Sequence, residues 1–253
     1  MFPFKTNPLA AFAGTLLLAT ALSATAAEHG TKWSYTGDQG AEHWGDLSPS
    51  FKACKDGKAQ SPIDIQNARP GKLPPLAFHY PASAATVINN GHTIQVGPHA
   101  GGNAKLPSGV YQLLNFHFHT PSEMTVDGRA YPLSAHLVHR DAAGRLAVVG
   151  VLFEEGAENK ALESIFQVMP EKGAAPVPLN ETFSPADLLP EDLSYVAFDG
   201  SLTTPPCSEG VHWHVLKTPV QVSAAQIQAF RKLYPMNARP VQPMHDRVLT
   251  SNN

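Results

Sequence analysis

The sequence has little charge and lacks any run of basic residues. Charged side chains make up 15% of its 253 residues, with 18 lysines and arginines against 21 aspartates and glutamates. Proteins that bind nucleic acid or anionic membranes through electrostatic attraction present clustered basic side chains. The composition therefore excludes nucleic-acid binding as a class and argues against attachment to an anionic membrane surface.

The sequence also lacks an apolar run long enough to span a membrane. Residues 9–22 form the apolar run of the N-terminal segment, and they fall short of the roughly 20 residues that a spanning helix needs. One basic residue, Lys5, precedes this run, and an Ala-x-Ala processing pattern follows it at residues 24–26. We predict a signal peptide over residues 1–27, one mature domain over residues 28–253, and a periplasmic or secreted protein. A buried N-terminal helix is the alternative.

Cysteine is scarce, with only Cys54 and Cys207 in the chain. An exported chain meets an oxidising compartment, where an even pair of cysteines favours a disulfide. Closing so long a loop would stabilise the fold by roughly 4–5 kcal/mol in the chain-entropy model. We predict a Cys54–Cys207 disulfide, with two free buried thiols as the alternative.

Glycine and proline are abundant, with 19 and 23 residues, so long helices are not expected. Short apolar or alternating segments predict strands at residues 86–88, 92–96, 112–119, 135–139, 146–153 and 211–216. Turns are predicted at residues 90–91, 127–128 and 141–144, and helices at 159–168 and at 224–233 after an N-cap at Ser223. The predicted fold is mainly β: a single domain with a large central, twisted, mostly antiparallel sheet and a few short peripheral helices.

The stretch FHFHTPSEM at residues 116–124 places two histidines among phenylalanines. Side chains alternate between the faces of a strand, so His117 and His119 project from one face while Phe116 and Phe118 project from the other. Zinc accepts neutral imidazole nitrogens, and a catalytic zinc site uses three protein ligands with a fourth position open. The pattern suggests two of three zinc ligands, although histidines on a polar face without a metal have the same spacing.

A third ligand must come from another segment. His136 and His139 lie in the next apolar strand, which the turn at residues 127–128 could return beside the first. These two histidines are three residues apart, so in a regular strand their side chains point to opposite faces and cannot both face one cavity. A second His-x-His pair, His212 and His214, has the same spacing as the first, and spacing alone does not choose between the pairs.

Short motifs follow one another through nearly all of the mature part of the chain. They are Trp33-Ser34-Tyr35, His43-Trp44-Gly45, Gln60-Ser61-Pro62-Ile63-Asp64-Ile65, Asn89-Asn90-Gly91-His92, Phe116-His117-Phe118-His119, Ser122-Glu123, His136-Leu137-Val138-His139, Gly200-Ser201-Leu202-Thr203-Thr204-Pro205-Pro206-Cys207, Trp213 and Asn237-Ala238-Arg239-Pro240. In this order they make the chain resemble an α-class carbonic anhydrase of the exported bacterial type. Carbonic anhydrase is itself the known example of a catalytic zinc site with three histidine ligands.

The resemblance implies a Zn²⁺ ion bound by His117, His119 and His136. It assigns His139 to the core and leaves the second His-x-His pair outside the ligand set. The implied activity is the reversible hydration of carbon dioxide to bicarbonate and a proton, by attack of zinc-bound hydroxide on CO₂. Sulfonamides and anions are the expected inhibitors, and side esterase activity is expected from the same hydroxide. Exported bacterial relatives tend to dimerise, so a homodimer is an expectation of the resemblance.

The resemblance also implies how the nucleophile is oriented and where the substrate binds. Thr203 would accept the hydroxide proton and donate its own hydroxyl proton to Glu123, which can only accept while it is ionised. The Thr203 backbone N–H would hold an oxygen of the substrate or of an anion. The substrate pocket would be lined by Thr204 on its polar side and by Val138, Val148, Leu202, Val211 and Trp213 on its apolar side.

Proton release is implied to run through His92. Histidine titrates near pH 6.5 and can both take up and release a proton at neutral pH. Tyr35, Asn90 and Gln95 would lie on the water path that leads to it. Without the resemblance, His92 would be read as a surface histidine after an Asn-Gly turn.

Two residues beside the predicted ligands depart from the family pattern. Glutamine is usual where Asn115 stands, holding His117, and glutamate is usual where Ser134 stands, holding His136. Such outer contacts fix the orientation of an imidazole, and losing one typically lowers metal affinity or activity 10–100-fold. We expect an active enzyme that holds zinc less tightly than its relatives do.

A third departure is Met124, where histidine is usual after the Ser-Glu pair. It could instead disturb the packing of the core. In the family, the second ligand, here His119, normally donates a hydrogen bond to a backbone carbonyl, which in this chain would be that of Asn237.

The alternative function, from a different class, is a non-catalytic binding module of the same fold. The presence of all three ligands with Glu123 and Thr203 argues against it.

Overall fold

The computed structural model describes Met1 and residues 30–252, so the predicted signal peptide falls, apart from Met1, outside the described residues. Its strands are β1 Asp64–Ile65, β2 Arg69–Pro70, β3 Ala77–His79, β4 Ala85–Asn89, β5 Ile94–Pro98, β6 Asn103–Leu106, β7 Gly109–His119, β8 Thr125–Val126, β9 Arg129–Ala130, β10 Leu133–Arg140, β11 Leu146–Glu155, β12 Val177–Pro178, β13 Tyr195–Ser201, β14 Glu209–Leu216, β15 Val220–Val222 and β16 Thr250–Ser251. Its α-helices are α1 Trp44–Leu47, α2 Ala53–Asp56, α3 Lys160–Phe166 and α4 Ala224–Leu233, with 3₁₀ turns at Gly37–Gln39, Pro49–Phe51 and Pro185–Leu188.

One large sheet dominates the described part of the chain. It has 13 strands, and its main path runs β12-β4-β5-β7-β10-β11-β14-β13-β16-β2. Most neighbours are antiparallel, while β11 runs parallel to β14 and β15, and β16 runs parallel to β2. A separate sheet of three short strands joins β1, β8 and β9. The prediction of a mainly β fold built on one large, mostly antiparallel sheet is confirmed.

All six predicted strands are present, and β5 shows why one of their ends was misplaced. The prediction started this strand at residue 92, whereas β5 begins at Ile94. The Asn90 side chain accepts hydrogen bonds from the backbone N–H groups of His92 and Thr93, at 3.0 and 2.9 Å, and so holds both residues in the turn. Gly91 has a φ of +88°, which a residue with a side chain adopts only with strain.

The two predicted helices are α3 and α4. Asn159 caps α3 by accepting a hydrogen bond from the Leu162 N–H at 3.1 Å. Ser223 and Gln226 form a reciprocal capping box at the start of α4, which supplies partners for backbone N–H groups that a helix start leaves free. No helix in the described part of the chain is both long and apolar enough to cross a bilayer.

The central strands separate two cores. On one face, Phe116, Phe118 and Leu137 belong to the larger core, where Phe118 packs edge-on against Phe166 of α3 and Phe230 of α4. Burying one such aromatic side chain contributes about 1.5–3 kcal/mol. The alternate residues of β7 and β10 face the other way. The apolar packing of one face thus fixes which way the histidines of the other face point.

The predicted disulfide is present and joins α2 to the segment after β13. Cys54 and Cys207 are bonded across a sequence separation of 153 residues. Both sulfurs lie in a small core with Trp44, which is fully buried. The bond therefore ties the loop that contains Thr203 to the N-terminal part of the domain.

Candidate metal centre

Three imidazoles converge on the polar face of the central strands. Antiparallel pairing of β7 with β10 places His136 directly opposite His117, while His119 lies two residues further along β7. One ring nitrogen from each of the three residues lies within 4.8 Å of the other two. Neither His139 nor the second His-x-His pair belongs to this group. The register between two strands thus brings together the three histidines that the resemblance implied.

The rings of His117 and His119 are oriented by partners outside the group. The Asn237 carbonyl lies 2.8 Å from His119 Nδ1 and accepts its hydrogen bond. The Asn115 Oδ1 lies 3.3 Å from His117 Nδ1, a longer contact. These contacts leave Nε2 of each ring free, and His119 Nε2 is buried without a hydrogen-bond partner. A metal ion is the chemical group that such inward-facing nitrogens fit.

His136 has no such partner in the described part of the chain. The Ser134 hydroxyl, two residues earlier on the same face of β10, is buried and also makes no hydrogen bond. Met124 does not disturb the packing nearby, because it is 1% exposed within the smaller core and its Sδ accepts the Ile63 N–H at 3.3 Å. Of the three rings, His136 is the one without an orienting hydrogen bond among the described residues.

Two of the imidazoles, those of His117 and His136, are electrically neutral at neutral pH. Burial lowers the pKa of His117 to about 3, and the nearby His119 adds to this effect. Burial, together with the two neighbouring imidazoles, holds the pKa of His136 well below its usual range. Neutral imidazole is the form that binds a metal, and neutral ligands leave the full charge of a divalent ion acting on its fourth position.

A buried carboxylate stands beside the imidazoles. Glu123 Oε2 lies 3.5 Å from His119 Nε2 and 3.7 Å from His136 Nδ1. Its Oε1 accepts the Arg239 backbone N–H at 2.8 Å. Burial raises the pKa of the Glu123 carboxyl, whereas His119, Arg239 and the Thr203 side chain act to lower it.

Arg239 fixes the position of that backbone N–H. Its guanidinium donates to Gln60 Oε1 and to the carbonyls of Ser61 and Cys54, at 2.9, 2.7 and 2.9 Å. Burial lowers the pKa of this guanidinium to about 10, so it remains charged at neutral pH. Sequence reasoning gave Arg239 no role, and its position within the Asn237–Pro240 motif was the one available signal.

The loop after β13 carries the predicted threonines. Thr203 is buried, 5% exposed, and its side chain acts on the Glu123 carboxyl as described above. The Thr204 carbonyl accepts the Cys207 N–H at 2.8 Å, and the Leu202 N–H donates to the Ser208 carbonyl at 3.0 Å. These bonds and the disulfide hold the loop in one conformation beside the imidazoles.

The residues predicted to line the apolar pocket form one cluster next to the metal centre. Trp213 packs edge-on against His136, with ring centroids 4.9 Å apart, and its Nε1 donates to the Ser201 carbonyl at 3.0 Å. The cluster comprises Val148, Val211 and Trp213 in the smaller core, with Val138 and Leu202 packed against it. The threonine loop and this apolar cluster therefore both lie beside the metal centre.

A cavity of about 170 Å³ opens onto the metal centre. Its lining includes Tyr35, Asn90, His92, Gln95, Asn115, His117, His119, Val138 and Thr204. The residues predicted for the proton path thus share one cavity with two of the predicted ligands. A larger cavity of about 580 Å³ lies elsewhere, beside Lys160 and Glu181, and has no histidine in its lining.

His92 at this cavity stacks face to face on Trp33. The ring centroids are 3.6 Å apart and the planes differ by 7°. Burial lowers the pKa of His92, and the charge of Lys172 adds to this effect. Sequence reasoning missed both neighbours, since neither lies close to His92 in the chain.

The other histidines point elsewhere. His139 is fully buried in the larger core, where its Nε2 lies 2.6 Å from the Tyr80 hydroxyl. His212 Nδ1 lies 2.7 Å from Asp199 Oδ1, and His214 is buried near the Tyr195 ring, with centroids 5.6 Å apart. The alternative third ligand and the alternative His-x-His pair are therefore both separate from the metal centre.

Comparison with known proteins gives a consistent result. The family model described as eukaryotic-type carbonic anhydrase matches residues 39–253. A carbonic anhydrase of Neisseria gonorrhoeae is 48% identical over 92% of this chain and 93% of its own length. An α-carbonic anhydrase of Thermovibrio ammonificans, solved with the inhibitor sulfanilamide, superposes with a TM-score of 0.85 at 47% identity, over 87% of this chain and 99% of that one. The α-carbonic anhydrase of Photobacterium profundum superposes with a TM-score of 0.83 at 44% identity, over 87% and 100%.

Proposed function

This chain belongs to the eukaryotic-type, or α-class, carbonic anhydrase family, and from that premise we propose that it hydrates carbon dioxide reversibly with the help of a bound zinc ion. The observation that carries the proposal is the convergence of three imidazoles beside Glu123 and the Thr203 loop. The products are bicarbonate and a proton.

Zn²⁺ is the ion that fits this donor set. His117, His119 and His136 would hold it, since three imidazoles with a fourth position open are the ligands of a catalytic zinc site. When bound, the ion supplies Lewis acidity that lowers the pKa of a coordinated water to roughly 7, a value known from carbonic anhydrase itself. His119 Nε2 supports this assignment, because it is buried and has no hydrogen-bond partner among the residues that the structure describes.

Thr203 and Glu123 orient the oxygen nucleophile. Glu123 accepts the Arg239 N–H at one oxygen, which leaves the other oxygen to accept the Thr203 hydroxyl proton. Thr203 then has only lone pairs to offer, so it accepts the proton of the nucleophile and turns a lone pair of that oxygen toward carbon. Orientation of this kind is a proximity effect. The backbone N–H of Thr203 holds an oxygen of the product.

The apolar cluster with Trp213 at its centre receives CO₂. CO₂ has no net charge and no hydrogen-bond donor, so it gains little from polar side chains. Apolar contacts are available to it from Val138, Val148, Leu202 and Val211. Thr204 faces the polar side of the cavity. The two walls thus separate the substrate from the groups that handle the proton.

His92 carries the proton to solvent. It lines the cavity together with Tyr35, Asn90 and Gln95, whose polar groups would order the water between the nucleophile and the imidazole. It is also partly exposed, so it can pass the proton to buffer.

Zinc is held less tightly here than in relatives with a glutamate at the position of Ser134. The support is the Ser134 hydroxyl, which is buried and has no hydrogen-bond partner among the described residues. An imidazole without a hydrogen-bond partner at its outer nitrogen is less firmly oriented toward the metal, and loss of such a partner typically costs 10–100-fold in affinity.

The protein acts outside the cytoplasm, in the periplasm or after secretion. The Cys54–Cys207 disulfide supports this, since disulfides persist in oxidising compartments. Mass spectrometry of the protein from a periplasmic fraction should give a chain that begins near residue 28. A chain of full length in the cytoplasmic fraction would contradict the export of the protein.

Two measurements on one preparation test the proposed activity. Zinc content is expected to be one ion per chain, and CO₂ hydration is expected to be rapid and abolished by a sulfonamide such as sulfanilamide, which binds the Thermovibrio relative. A well-folded protein that holds no zinc and does not hydrate CO₂ would overturn the proposal and favour the non-catalytic binding module.

A further inference from the structure

The turn that carries His92 is joined to the segment that follows α3. Asn89 makes the connection: its Nδ2 donates to the Pro170 carbonyl at 3.0 Å, and its Oδ1 accepts the Gly91 N–H at 3.0 Å. The Tyr234 hydroxyl also bonds to Asn89 Oδ1. Pro170, two residues before Lys172, is therefore held against the turn by a hydrogen bond.

Lys172 lies across this turn. Its Cε is 3.1 Å, and its Nζ 3.6 Å, from the position that a Cβ on Gly91 would occupy. Because Gly91 has no side chain, the aliphatic part of Lys172 can cross the backbone and bring the ammonium close to Gly91, the residue that precedes His92. Its charge is felt there, since Lys172 adds to the effect of burial in lowering the pKa of His92.

The two tyrosines near the His92 turn carry no charge at neutral pH. Burial raises the pKa of Tyr35 well above its usual value and that of Tyr234 to about 12. Across the cavity, burial keeps His117 neutral, with a pKa of about 3, and His119 is a proposed metal ligand. The aromatic face of Trp33 covers one side of the imidazole. Glu171, beside Lys172 in the chain, is exposed.

We propose that Lys172 is a positioning residue for proton release, whose ammonium destabilises the imidazolium form of His92 and so speeds the loss of its proton to buffer. The inference rests on the proposed shuttle role of His92. A like charge nearby disfavours the protonated imidazole, and the solvent-exposed approach of Lys172 makes the effect moderate. Each shuttle cycle must end in proton loss, so a shuttle that holds its proton too tightly would limit turnover whenever buffer is scarce.

A charge series at Lys172 tests this. NMR titration of His92, with its signal assigned from His92→Ala, should give a pKa that rises by about half a unit in Lys172→Gln and by about one unit in Lys172→Glu. Lys172→Arg should match the wild type, and so should Lys160→Gln, which removes a lysine that lines a different cavity. In 1 M salt, where charges are screened beyond about 3 Å, the differences should shrink.

Turnover supplies the second readout. In weak buffer, CO₂ hydration by Lys172→Gln should fall about threefold, the rate equivalent of half a pKa unit, while strong buffer should hide the loss. A His92 pKa that is the same across the series would overturn the inference, and so would a shifted pKa with unchanged weak-buffer turnover. A protein that binds zinc but hydrates no CO₂ would instead contradict the proposed function, whereas the His92 titration alone would still report the charge effect.

Discussion

The His117–His119 pair on β7 and the His212–His214 pair on β14 have the same spacing and lie in the same sheet, yet their surroundings differ completely. Opposite His117, β10 presents His136. Opposite His212, β13 presents Asp199 and β11 presents Ala147. One pair therefore gains a third imidazole, and the other gains a single hydrogen bond to a carboxylate.

The difference shows what the spacing of a motif specifies and what it does not. An interval of two residues fixes only that two side chains share a face. The chemistry of that face is decided by the residues that strand pairing places opposite them. Substitutions at the metal centre should therefore affect zinc binding or catalysis, whereas substitutions at the second pair should not.

Removing the third imidazole should have the largest effect. His136→Ala should lose bound zinc and reduce CO₂ hydration by more than about 100-fold, the upper range for losing only an outer contact. His212→Ala, a matched change at the other pair, should keep one zinc per chain and normal turnover. Equal losses in the two variants, measured by metal analysis and stopped-flow hydration, would mean that the two pairs do not differ in function.

Thr203→Ala should slow the reaction without releasing the metal. We expect a fall of about 100-fold in kcat/KM, since a misdirected nucleophile typically costs that much. Zinc content should stay at one per chain, and Thr203→Ser should restore most of the rate because it keeps the hydroxyl. If the Ala variant turned over normally, the hydroxyl would have no orienting role.

His92→Ala should slow turnover in weak buffer, by up to about 100-fold, the lower range for loss of an acid–base group. Added imidazole should restore the rate, because it carries the proton in place of the missing side chain. His79→Ala, at an exposed histidine of β3, serves as the control. A loss that is equal in strong and weak buffer would remove His92 from proton transfer.

Ser134→Glu should slow the loss of zinc to a chelator by about 10-fold or more, because the carboxylate can accept a hydrogen bond from His136. Ser134→Ala should behave like the wild type, since the Ser134 hydroxyl makes no hydrogen bond within the described part of the chain. Wild-type protein that loses zinc no faster than Ser134→Glu would show that His136 needs no partner.

The smallest effect on the metal centre is expected at the second pair. Burial lowers the pKa of His214 to about 4, below its unfolded value near 6.5. The unfolded chain therefore binds more protons between these two values, and stability should fall as the pH drops from 6.5 to 4. His214→Leu should remove part of this loss, by up to about 2 kcal/mol between pH 7 and pH 5, with turnover unchanged. Urea unfolding at pH 7 and pH 5 would measure it, and an unaltered pH dependence would contradict it.

The sequence could predict what depends on neighbours in the chain. Alternation along 116–119 predicted the two faces of β7, and turn residues predicted the hairpin connections. β13 was missed, because Asp199 and Gly200 weaken its strand pattern. From the residues alone, His136 and His139 remained alternatives, since only the register with β7 decides which one faces His117.

Contacts across long stretches of sequence were harder to foresee. Asn237 and Arg239 reach His119 and Glu123 over 118 and 116 residues, and no periodic pattern marks them. The stacking of Trp33 on His92 likewise depends on how a loop without strands folds back over the cavity. The resemblance supplied the Asn237 contact, whereas composition and spacing had no means to do so.

The order of the site residues along the chain has a consequence for synthesis at the ribosome. The three imidazoles all belong to residues 117–136, on two strands that pair antiparallel. Thr203 and the backbone of residues 237–239 emerge much later. A nascent chain that has not yet reached residue 203 already contains every proposed zinc ligand, but neither the hydroxyl that orients the nucleophile nor the carbonyl that orients His119. Catalytic competence therefore depends on a part of the chain that is made after all three ligands.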